Sequence, residues 1–324
     1  MTILPAAESF FAGRRCLVAG GTGFVGSHFV EALLAAGAYV RITTRRQPPP
    51  LTDRRVEIVT ADLDRREDCL RAVEGMDMVI HAAGSVGAAG VAPQDALLGM
   101  DANLHLTANL LWAAWTAKVG RMLVFSSSTG YPAADHPVSE DEFWNGPVHP
   151  IYHGYGWMRR YVERLAEFTA EKSGMHLAII RPGAIYGRRD NFDPATCHVI
   201  AALIRRAVAR ENPFVVWGSG NEVRDILHVS DFVQGCLLAL EKAGNCDPVN
   251  IASGEGTSVR DLVNLVLAAS GHDNADVRFD ASRPTAIPLR LIDISKARRL
   301  GFSPRIALAD GLADTIRWLS EAHS

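Results

Sequence analysis

The sequence predicts an α/β fold in which a doubly wound parallel sheet is followed by a smaller α/β region. Between residue 15 and about residue 180, short apolar, β-branched runs alternate with stretches of helical periodicity. The runs are LVA, VRIT, VEIVT, MVIHAA, MLVFSS and HLAIIRP. Strands this apolar need helices on both faces, which is typical of a parallel sheet. Such sheets bind ligands at the carboxyl ends of their strands, so we expect the site there.

Three glycines directly follow the first of these strands. The segment CLVAGGTGFVG, residues 16–26, contains Gly20, Gly23 and Gly26 and precedes the amphipathic run SHFVEALLAAGAYV. Glycines let the backbone approach a pyrophosphate closely, and the next helix points its free N–H groups and positive dipole end at the charge. The spacing therefore predicts a dinucleotide site of the Rossmann type.

The end of the second strand carries cations rather than an acid. NAD-binding chains usually place an Asp or Glu there, about 20 residues after the glycines, to hold the ribose hydroxyls. Here the strand ends in Thr44, Arg45 and Arg46. A guanidinium can hold a 2′-phosphate through two charge-assisted hydrogen bonds. We therefore predict NADP(H) rather than NAD.

Composition and charge exclude several kinds of partner. The chain is 48% hydrophobic, and its net charge of −3 is spread without long like-charged runs, so neither nucleic acid nor a membrane is predicted as a partner. The opening MTILPAAESFFAGRR lacks a basic segment followed by a sustained apolar one, and we expect a cytoplasmic protein. Five widely spaced cysteines show no C-x-x-C pattern, so neither a disulfide framework nor a metal site is predicted.

The candidate reacting groups follow one strand and open a later helix. Ser127 and Thr129 lie at the end of MLVFSSST, and Tyr155 begins YGWMRRYVERLAEFTAEK. Helical spacing places Arg159 on the same face as Tyr155, where its charge favours a phenolate. Tyr155 could then exchange a proton near neutral pH. Ser127 would donate a hydrogen bond to the substrate oxygen during hydride transfer.

The pattern of elements changes after Pro182. Shorter elements follow: FVVW, a helix from about residue 230, PVNIA, a helix from about residue 258, VRF and a terminal helix through Trp318. We predict a dinucleotide-binding domain over 1–181 that includes the tyrosine. Residues 182–324 would mainly cap and bind the substrate, with some chain crossing between the two parts.

Longer motifs extend these features along nearly the whole chain. General ones are GGTGFVG, ADL at 61–63, HAAG at 81–84, SSSTGYP at 126–132, RPGAIYG at 181–187 and RDILHVSD at 224–231. More specific ones are RRDNFDPATCHVIAALIRR at 188–206, VVWGSG at 215–220 and FDASRPTAIPLRLIDISKARRLGF at 279–302. Together they resemble the extended short-chain dehydrogenases/reductases of the nucleotide-sugar epimerase/dehydratase family, and within it the GDP-L-fucose synthases.

This resemblance implies roles for individual residues. It makes Ser127 and Tyr155 the hydride-step pair and His198 the acid that protonates a sugar carbon during epimerisation. The implied cofactor-binding residues are Gly20, Thr22, Gly23, Phe24, Val25, Gly26, Arg45, Arg46, Asp62, Leu63, Ala82, Ala83, Arg159 and Pro182. The implied nucleotide-sugar contacts are Arg206, Trp217, Arg224 and Asp280.

Two positions depart from the pattern of the family. Arg159 replaces the lysine of Tyr-x-x-x-Lys, and a guanidinium is effectively never deprotonated, so a proton relay through an amine is lost. Thr129 replaces the cysteine that serves as an epimerisation base, and a hydroxyl is a far weaker base than a thiolate. The Asp-Glu pair of 4,6-dehydratases is absent, because Ser128 and Thr129 stand there.

Three functions stay open at this point. The leading prediction is an NADPH-dependent reductase, with or without epimerisation, of a GDP-linked 4-keto-deoxy sugar. One alternative is a redox-neutral nucleotide-sugar 4-epimerase with tightly held NAD(P). The other is an NADP-binding sensor or scaffold whose catalysis has lapsed at Arg159.

The resemblance also implies a homodimer. Members of the family usually pair through the helix that carries the tyrosine and the long helix before it, here about 155–172 and 101–117. The second of these, DANLHLTANLLWAAWTA, is apolar enough to be covered on more than one side.

Overall fold

The protein was analysed as a computed structural model. It describes residues 9–45, 53, 55–84, 93–283 and 287–322, and no side chains over 93–96. The strands are β1 Arg15–Ala19, β2 Tyr39–Thr44, β3 Val56–Thr60, β4 Met78–His81, β5 Arg121–Phe125, β6 His176–Pro182, β7 Ala184–Tyr186, β8 Phe214–Trp217, β9 Val223–His228, β10 Val249–Ile251, β11 Gly256–Ser258, β12 Val277–Asp280 and β13 Leu289–Arg290.

Nine α-helices lie within the described ranges. They are α1 Phe24–Ala35, α2 Arg66–Val73, α3 Pro93–Thr116, α4 His153–Ser173, α5 Val199–Val208, α6 Val229–Lys242, α7 Val259–Ser270, α8 Ser295–Arg299 and α9 Leu308–Ala322. Three short 3-10 turns, at Ser128–Gly130, Glu140–Trp144 and Pro150–Tyr152, connect β5 to α4.

A seven-stranded parallel sheet forms the centre of the molecule. Its order is β10-β6-β5-β4-β1-β2-β3, so the chain reverses direction across the sheet between β1 and β4. A crevice at such a reversal, beyond the carboxyl ends of the strands, is where doubly wound sheets bind ligands. β10 joins this sheet from the chain after Pro182. The predicted fold class is confirmed.

Helices cover both faces of the sheet because its strands are apolar on both sides. Core residues on one face, such as Val18, Phe29 and Phe232, pack α1 and α6 against the strands. On the other face, residues such as Val79, Leu110 and Ala166 pack α2, α3 and α4. Successive residues of β4 and β5 alternate between these two layers, as the pleat requires.

The later part of the chain builds smaller sheets around a third core. β9 pairs with β7, β11 and β13, and β8 pairs with β12. Leu203, Phe214, Val263 and Leu312 belong to the cluster that holds α5, α7 and α9 together. This region lies beside the end of β6, because β7 follows β6 after one residue and pairs with β9.

Candidate active site

The glycine loop brings β1, β4 and α1 into close backbone contact. Gly20 has a φ of +81°, and a Cβ there would lie 2.7 Å from the Ala83 backbone. A Cβ on Gly26 would lie 2.0 Å from the Gly20 carbonyl oxygen. Only glycine allows both approaches. The loop thus holds the beginning of α1 against the ends of the central strands.

The beginning of α1 is chemically suited to an anion. Its N-cap residue, Gly23, gives no side-chain capping hydrogen bond, and the first turn carries no acidic residue. Thr22 and Gly23 are exposed, so the end of the helix that carries its free N–H groups lies at the surface. These features fit the pyrophosphate of a dinucleotide, with Phe24 and Val25 half-buried behind it.

The other predicted cofactor residues lie at neighbouring strand ends. Arg45 is exposed directly after β2, and Asp62 is exposed after β3, beside buried Leu63. Half-buried Ala82 and Ala83 follow β4, and half-buried Pro182 ends β6. The predicted role of Arg46 lies outside the described residues.

Tyr155 and Arg159 are in direct contact. Arg159 Nη2 donates to the Tyr155 hydroxyl oxygen over 2.6 Å. Arg159 Nη1 donates to the Phe125 carbonyl oxygen at the end of β5 over 2.9 Å. Arg159 lies one helical turn after Tyr155, so the two side chains meet as the i, i+4 spacing predicts. The guanidinium therefore links the tyrosine to the end of β5.

The Ser127 oxygen accepts two hydrogen bonds from Thr129. Thr129 N lies 3.1 Å and Thr129 Oγ1 lies 2.9 Å from Ser127 Oγ, with the hydroxyl of Thr129 donating. Ser127 keeps its own proton for another acceptor. The turn that carries both residues packs on α4, where a Cβ on Gly156 would lie 2.5 Å from the Thr129 carbonyl oxygen. Ser127 and the Tyr155–Arg159 pair thus share one end of α4.

His198 lies at a separate position, at the N-cap of α5. Its side chain makes no capping hydrogen bond with that helix. The residue is exposed overall, while the protein packed around part of the ring desolvates it and lowers the pKa of His198. The imidazole is therefore neutral at physiological pH and open to a ligand.

The predicted sugar-nucleotide residues fall into two groups. Trp217 and Asp280 pair in register at the ends of β8 and β12, and Trp217 is 50% exposed. Arg283 lies over the Trp217 ring at 5.4 Å and is paired with Asp280. The Arg206 side chain is already hydrogen-bonded within the protein. Its Nε donates to Glu211 over 2.5 Å, and its Nη1 donates to the Val215 carbonyl oxygen over 2.6 Å.

Arg224 has a neighbour that the sequence did not single out, Arg290. The two are directly paired in the parallel strands β9 and β13, so both side chains leave the same face. Burial is the largest cause that lowers the pKa of each guanidinium, although both stay charged. The carboxylate of nearby Glu222 is held by Ser219 and Gly220 instead.

Neither arginine of this pair forms an ion pair with a carboxylate within the described ranges. Arg224 Nη1 donates to the Val223 carbonyl oxygen, and Arg290 Nη1 donates to that of Pro132 over 3.2 Å. Two adjacent guanidiniums without a carboxylate partner are chemically suited to an anion. The Pro132 contact places it next to the loop that follows Ser127.

A family model describes most of this chain. The NAD dependent epimerase/dehydratase family matches residues 16–252, which include the glycine loop, Ser127, Tyr155 and the Arg224 strand. The chain belongs to this family.

Relatives of this epimerase/dehydratase chain carry the names of nucleotide-sugar enzymes. It is 33% identical to a dTDP-4-dehydro-6-deoxy-D-allose reductase of a Streptomyces species, covering 95% of this chain and 97% of that protein. It is 31% identical to the GDP-L-fucose synthase of Escherichia coli K12, again over 95% and 97%.

Solved structures share the overall fold of this chain. MoeE5 in complex with UDP-glucose and NAD has a TM-score of 0.81 and 29% identity, covering 96% of this chain and all of that one. That structure contains NAD, and the glycine loop of this family member fits such a cofactor. The resemblance inferred from the motifs is confirmed.

The described part of this family member contains neither a membrane-spanning helix nor a metal-binding cluster. None of the described helices has the length and apolar character needed to cross a membrane. Over the same ranges, no group of three or more His, Cys, Asp or Glu side chains could hold a metal ion.

Proposed function

We propose that this chain is an NADPH-dependent reductase of a nucleotide-linked 4-keto-deoxy sugar. The contact between Arg159 Nη2 and the Tyr155 oxygen carries the proposal, because it couples an acid–base side chain to a permanent cation beside Ser127. Two relatives support the proposal, since one is named a dTDP-4-dehydro-6-deoxy-D-allose reductase and the other a GDP-L-fucose synthase.

Three residues of the chain would each have a separate role in the reduction. A dinucleotide held at the glycine loop would supply the hydride to the keto carbon. Tyr155 donates its proton to the oxygen that gains charge, and Arg159 stabilises the phenolate that is left. Ser127 donates a second hydrogen bond to the same oxygen, and its hydroxyl is polarised by the two bonds it accepts from Thr129. Solvent returns the proton to Tyr155.

The dinucleotide is proposed to be NADP(H). Arg45 is exposed at the end of β2, where an acid would hold the ribose of NAD. A cation at this position attracts a 2′-phosphate and an acid would repel it. A difference in Kd of at least tenfold between NADPH and NADH, lost in Arg45→Glu, would support this choice.

The sugar nucleotide is proposed to lie across Arg224 and Arg290. Two adjacent guanidiniums match a diphosphate, and the exposed Trp217 ring offers a surface for a base. We expected a GDP-linked substrate from the motifs. Relatives with dTDP and with GDP in their names are about equally similar, so both nucleotides belong in the test.

Reduction is proposed to be the main chemistry, rather than epimerisation. Thr129 carries a hydroxyl, which is a far weaker base than a thiolate. This hydroxyl also donates a hydrogen bond to Ser127. His198 could still serve as an acid, because its ring is neutral and unpaired with its helix. Any epimerisation would show as deuterium incorporated from solvent at carbons next to the keto group.

The test is consumption of NADPH with purified 4-keto-6-deoxy sugars linked to GDP and to dTDP. Sustained loss of absorbance at 340 nm with either substrate supports the proposal. Tyr155→Phe should lower kcat about 10²–10⁴-fold while NADPH still binds. Tyr161→Phe, on the same helix but 58% exposed, is the matched control and should keep full activity.

Other outcomes of this assay select the alternatives. Turnover of a non-keto nucleotide sugar without net loss of NADPH would indicate a redox-neutral 4-epimerase. Binding of NADPH with no turnover of any nucleotide sugar, and no effect of Tyr155→Phe, would indicate a sensor or scaffold.

The protein is also proposed to be a homodimer through α3 and α4. Trp157, Tyr161 and Phe168 of α4 and Trp115 of α3 are exposed on the single chain. An apolar surface of this kind on two adjacent helices matches the pairing expected from the motifs. Sedimentation at micromolar concentration should give twice the mass of one chain, and Phe168→Glu should shift it towards the monomer.

A further inference from the structure

Three buried polar atoms near Arg159 are without a hydrogen-bond partner among the described residues. They are His81 Nδ1, Ser126 Oγ and Arg159 Nε. His81 is 6% exposed and Ser126 is 2% exposed. Buried polar atoms in proteins are nearly always hydrogen-bonded, to protein or to ordered water. These three therefore require an explanation.

The three atoms belong to one layer of the molecule. Val79 and Val124 contribute to the core under α2, α3 and α4, so His81 and Ser126 face the same side. The register of β4 and β5 places His81 opposite Val124, and Ser126 follows two residues later on β5. β4 and β5 are neighbours in the sheet. Arg159, on α4, reaches the same edge through its bond to the Phe125 carbonyl oxygen.

The bonds of Thr107 fix the tautomer of His81. Thr107 donates its one hydroxyl proton to the Asn103 carbonyl oxygen over 2.7 Å. Its oxygen lies 3.0 Å from His81 Nε2 and can only accept there. Nε2 therefore carries the hydrogen, and Nδ1 is a bare acceptor.

The charge state of His81 supports this tautomer. Burial, and after it the charge of Arg159, lowers the pKa of His81 to about 4. The ring is therefore neutral at neutral pH, and its Nδ1 lone pair is available to accept a hydrogen bond.

The three unpartnered atoms are complementary in kind. Arg159 Nε–H can only donate, His81 Nδ1 can only accept, and the Ser126 hydroxyl can do either. One water molecule can accept from the arginine, donate to the histidine and bond to the serine, which is the usual number of partners for a buried water.

We propose that a structural water binds between His81 Nδ1, Ser126 Oγ and Arg159 Nε, and that His81 and Ser126 thereby position the guanidinium that contacts Tyr155. The effect on catalysis rests on the function proposed above; the water site itself does not. With Nη1 on Phe125 and Nη2 on Tyr155, the water would complete the fixation of the guanidinium on its third side. The site suits an arginine, since a lysine amine has no equivalent of the Nε–H group.

The decisive variants are His81→Asn and His81→Leu. The side chains of asparagine and leucine have nearly the same shape, but only asparagine offers an oxygen near the position of His81 Nδ1. We expect His81→Leu to lower kcat about tenfold and His81→Asn by less than threefold, with KM for the sugar nucleotide changed less than twofold in both. Ser126→Ala should lower kcat about threefold. Equal losses in the two His81 variants would overturn the proposal.

A double-mutant cycle with Arg159→Lys separates positioning from simple structural damage. If His81 acts through Nε–H, His81→Leu should change kcat less than twofold once lysine stands at 159. The same tenfold loss in both backgrounds would overturn the proposal. Thermal unfolding of each variant shows whether it is folded.

A crystal structure of the substrate-free protein at high resolution tests the water directly. An ordered water within about 3.3 Å of the three atoms is expected in the wild type, and its loss is expected in His81→Leu. This readout does not depend on turnover. A wild-type structure without the water would therefore overturn the inference even if the reductase assay succeeds.

Discussion

Gly156 lies so close to Thr129 that a Cβ on the glycine would stand 2.5 Å from the threonine carbonyl oxygen and 2.5 Å from Val148 Cγ1. Real Cβ atoms do not approach a backbone atom this closely. The residue after Tyr155 is therefore what lets α4 rest directly on the turn that holds Ser127. The relative placement of Ser127 and Tyr155 depends on this contact.

Gly156→Ala should separate the catalytic helix from the serine turn by a few tenths of an ångström. We expect a loss of about 1–3 kcal/mol in unfolding free energy and a fall of about tenfold or more in kcat, because reacting groups tolerate little misplacement. Denaturant unfolding and NADPH oxidation measure the two effects.

Gly154→Ala is the matched control for this change. A Cβ on Gly154 would meet the sulfur of Met100 at 2.8 Å, and that flexible side chain can move aside. This variant should keep nearly full stability and kcat. Similar losses in both variants would contradict the special role of Gly156.

Arg159→Lys should leave a partly active enzyme. Lysine keeps a positive charge near Tyr155, but a single ammonium cannot reproduce the planar contacts with the Tyr155 and Phe125 oxygens. We expect kcat to fall about tenfold in Arg159→Lys and by a further tenfold or more in Arg159→Met, which has no charge. Steady-state kinetics at saturating substrate provides the measurement.

Arg164→Lys is the corresponding control on the same helix. Arg164 is an exposed residue that pairs with Glu167 over 2.6 Å and lies over the Trp144 ring. An exposed pair of this kind contributes little, so kcat should stay within twofold. A wild-type kcat in Arg159→Met would show that the positive charge at position 159 has no role in catalysis.

Features that depend on local spacing could be predicted from the sequence. The strand and helix around the glycine loop, and the contact of Tyr155 with Arg159, follow from residues a few positions apart and are present in the structure. The parallel sheet followed from repeated apolar strands and is confirmed.

Features that depend on distant parts of the chain could not be predicted. Arg290 stands beside Arg224 only because β13 pairs with β9, and β13 is two residues long, so no periodic pattern marked it. The burial of Asp190 arises from the fold around its loop and not from its neighbours in sequence. The bond of Arg206 to Glu211 also shows that a side chain singled out as a ligand contact can have a partner within the protein.

Arg290→Leu should weaken binding of the sugar nucleotide more than it affects the chemical step. Removing one of two cations from a largely buried anion site costs about 1.5–3 kcal/mol of binding, which corresponds to a rise in KM of roughly 10–100-fold. The value of kcat should fall less than threefold. Initial rates across substrate concentrations separate the two parameters.

Arg278→Leu serves as the control for Arg290. Arg278 lies on β12, is 64% exposed at its side chain and pairs with Asp276. Its removal should leave KM unchanged, since that surface pair is solvated. A normal KM in Arg290→Leu would contradict the assignment of an anion site to this pair of arginines.

Asp190 should make the protein less stable as the pH rises through the weakly acidic range. Burial raises the pKa of this carboxyl from 3.8 to about 6, against one opposing hydrogen bond from the Asn191 backbone N–H. Between these two pH values the folded state binds more protons than the unfolded state. Folding stability therefore decreases with increasing pH across this window, and the whole loss due to Asp190 is present above about pH 6.

Asp190→Asn removes this cost, because a neutral amide can keep the hydrogen bond from Asn191 without burying a charge. We expect the variant to be more stable than the wild type by about 1–3 kcal/mol at pH 7.5 and by roughly a third of that gain at pH 4.5. Denaturant unfolding at both pH values measures the difference. Asp273→Asn, at an exposed site, should change stability equally little at both. If the gain in Asp190→Asn is the same at both pH values, the Asp190 carboxylate is already ionised at pH 4.5. Burial would then not raise the pKa of Asp190.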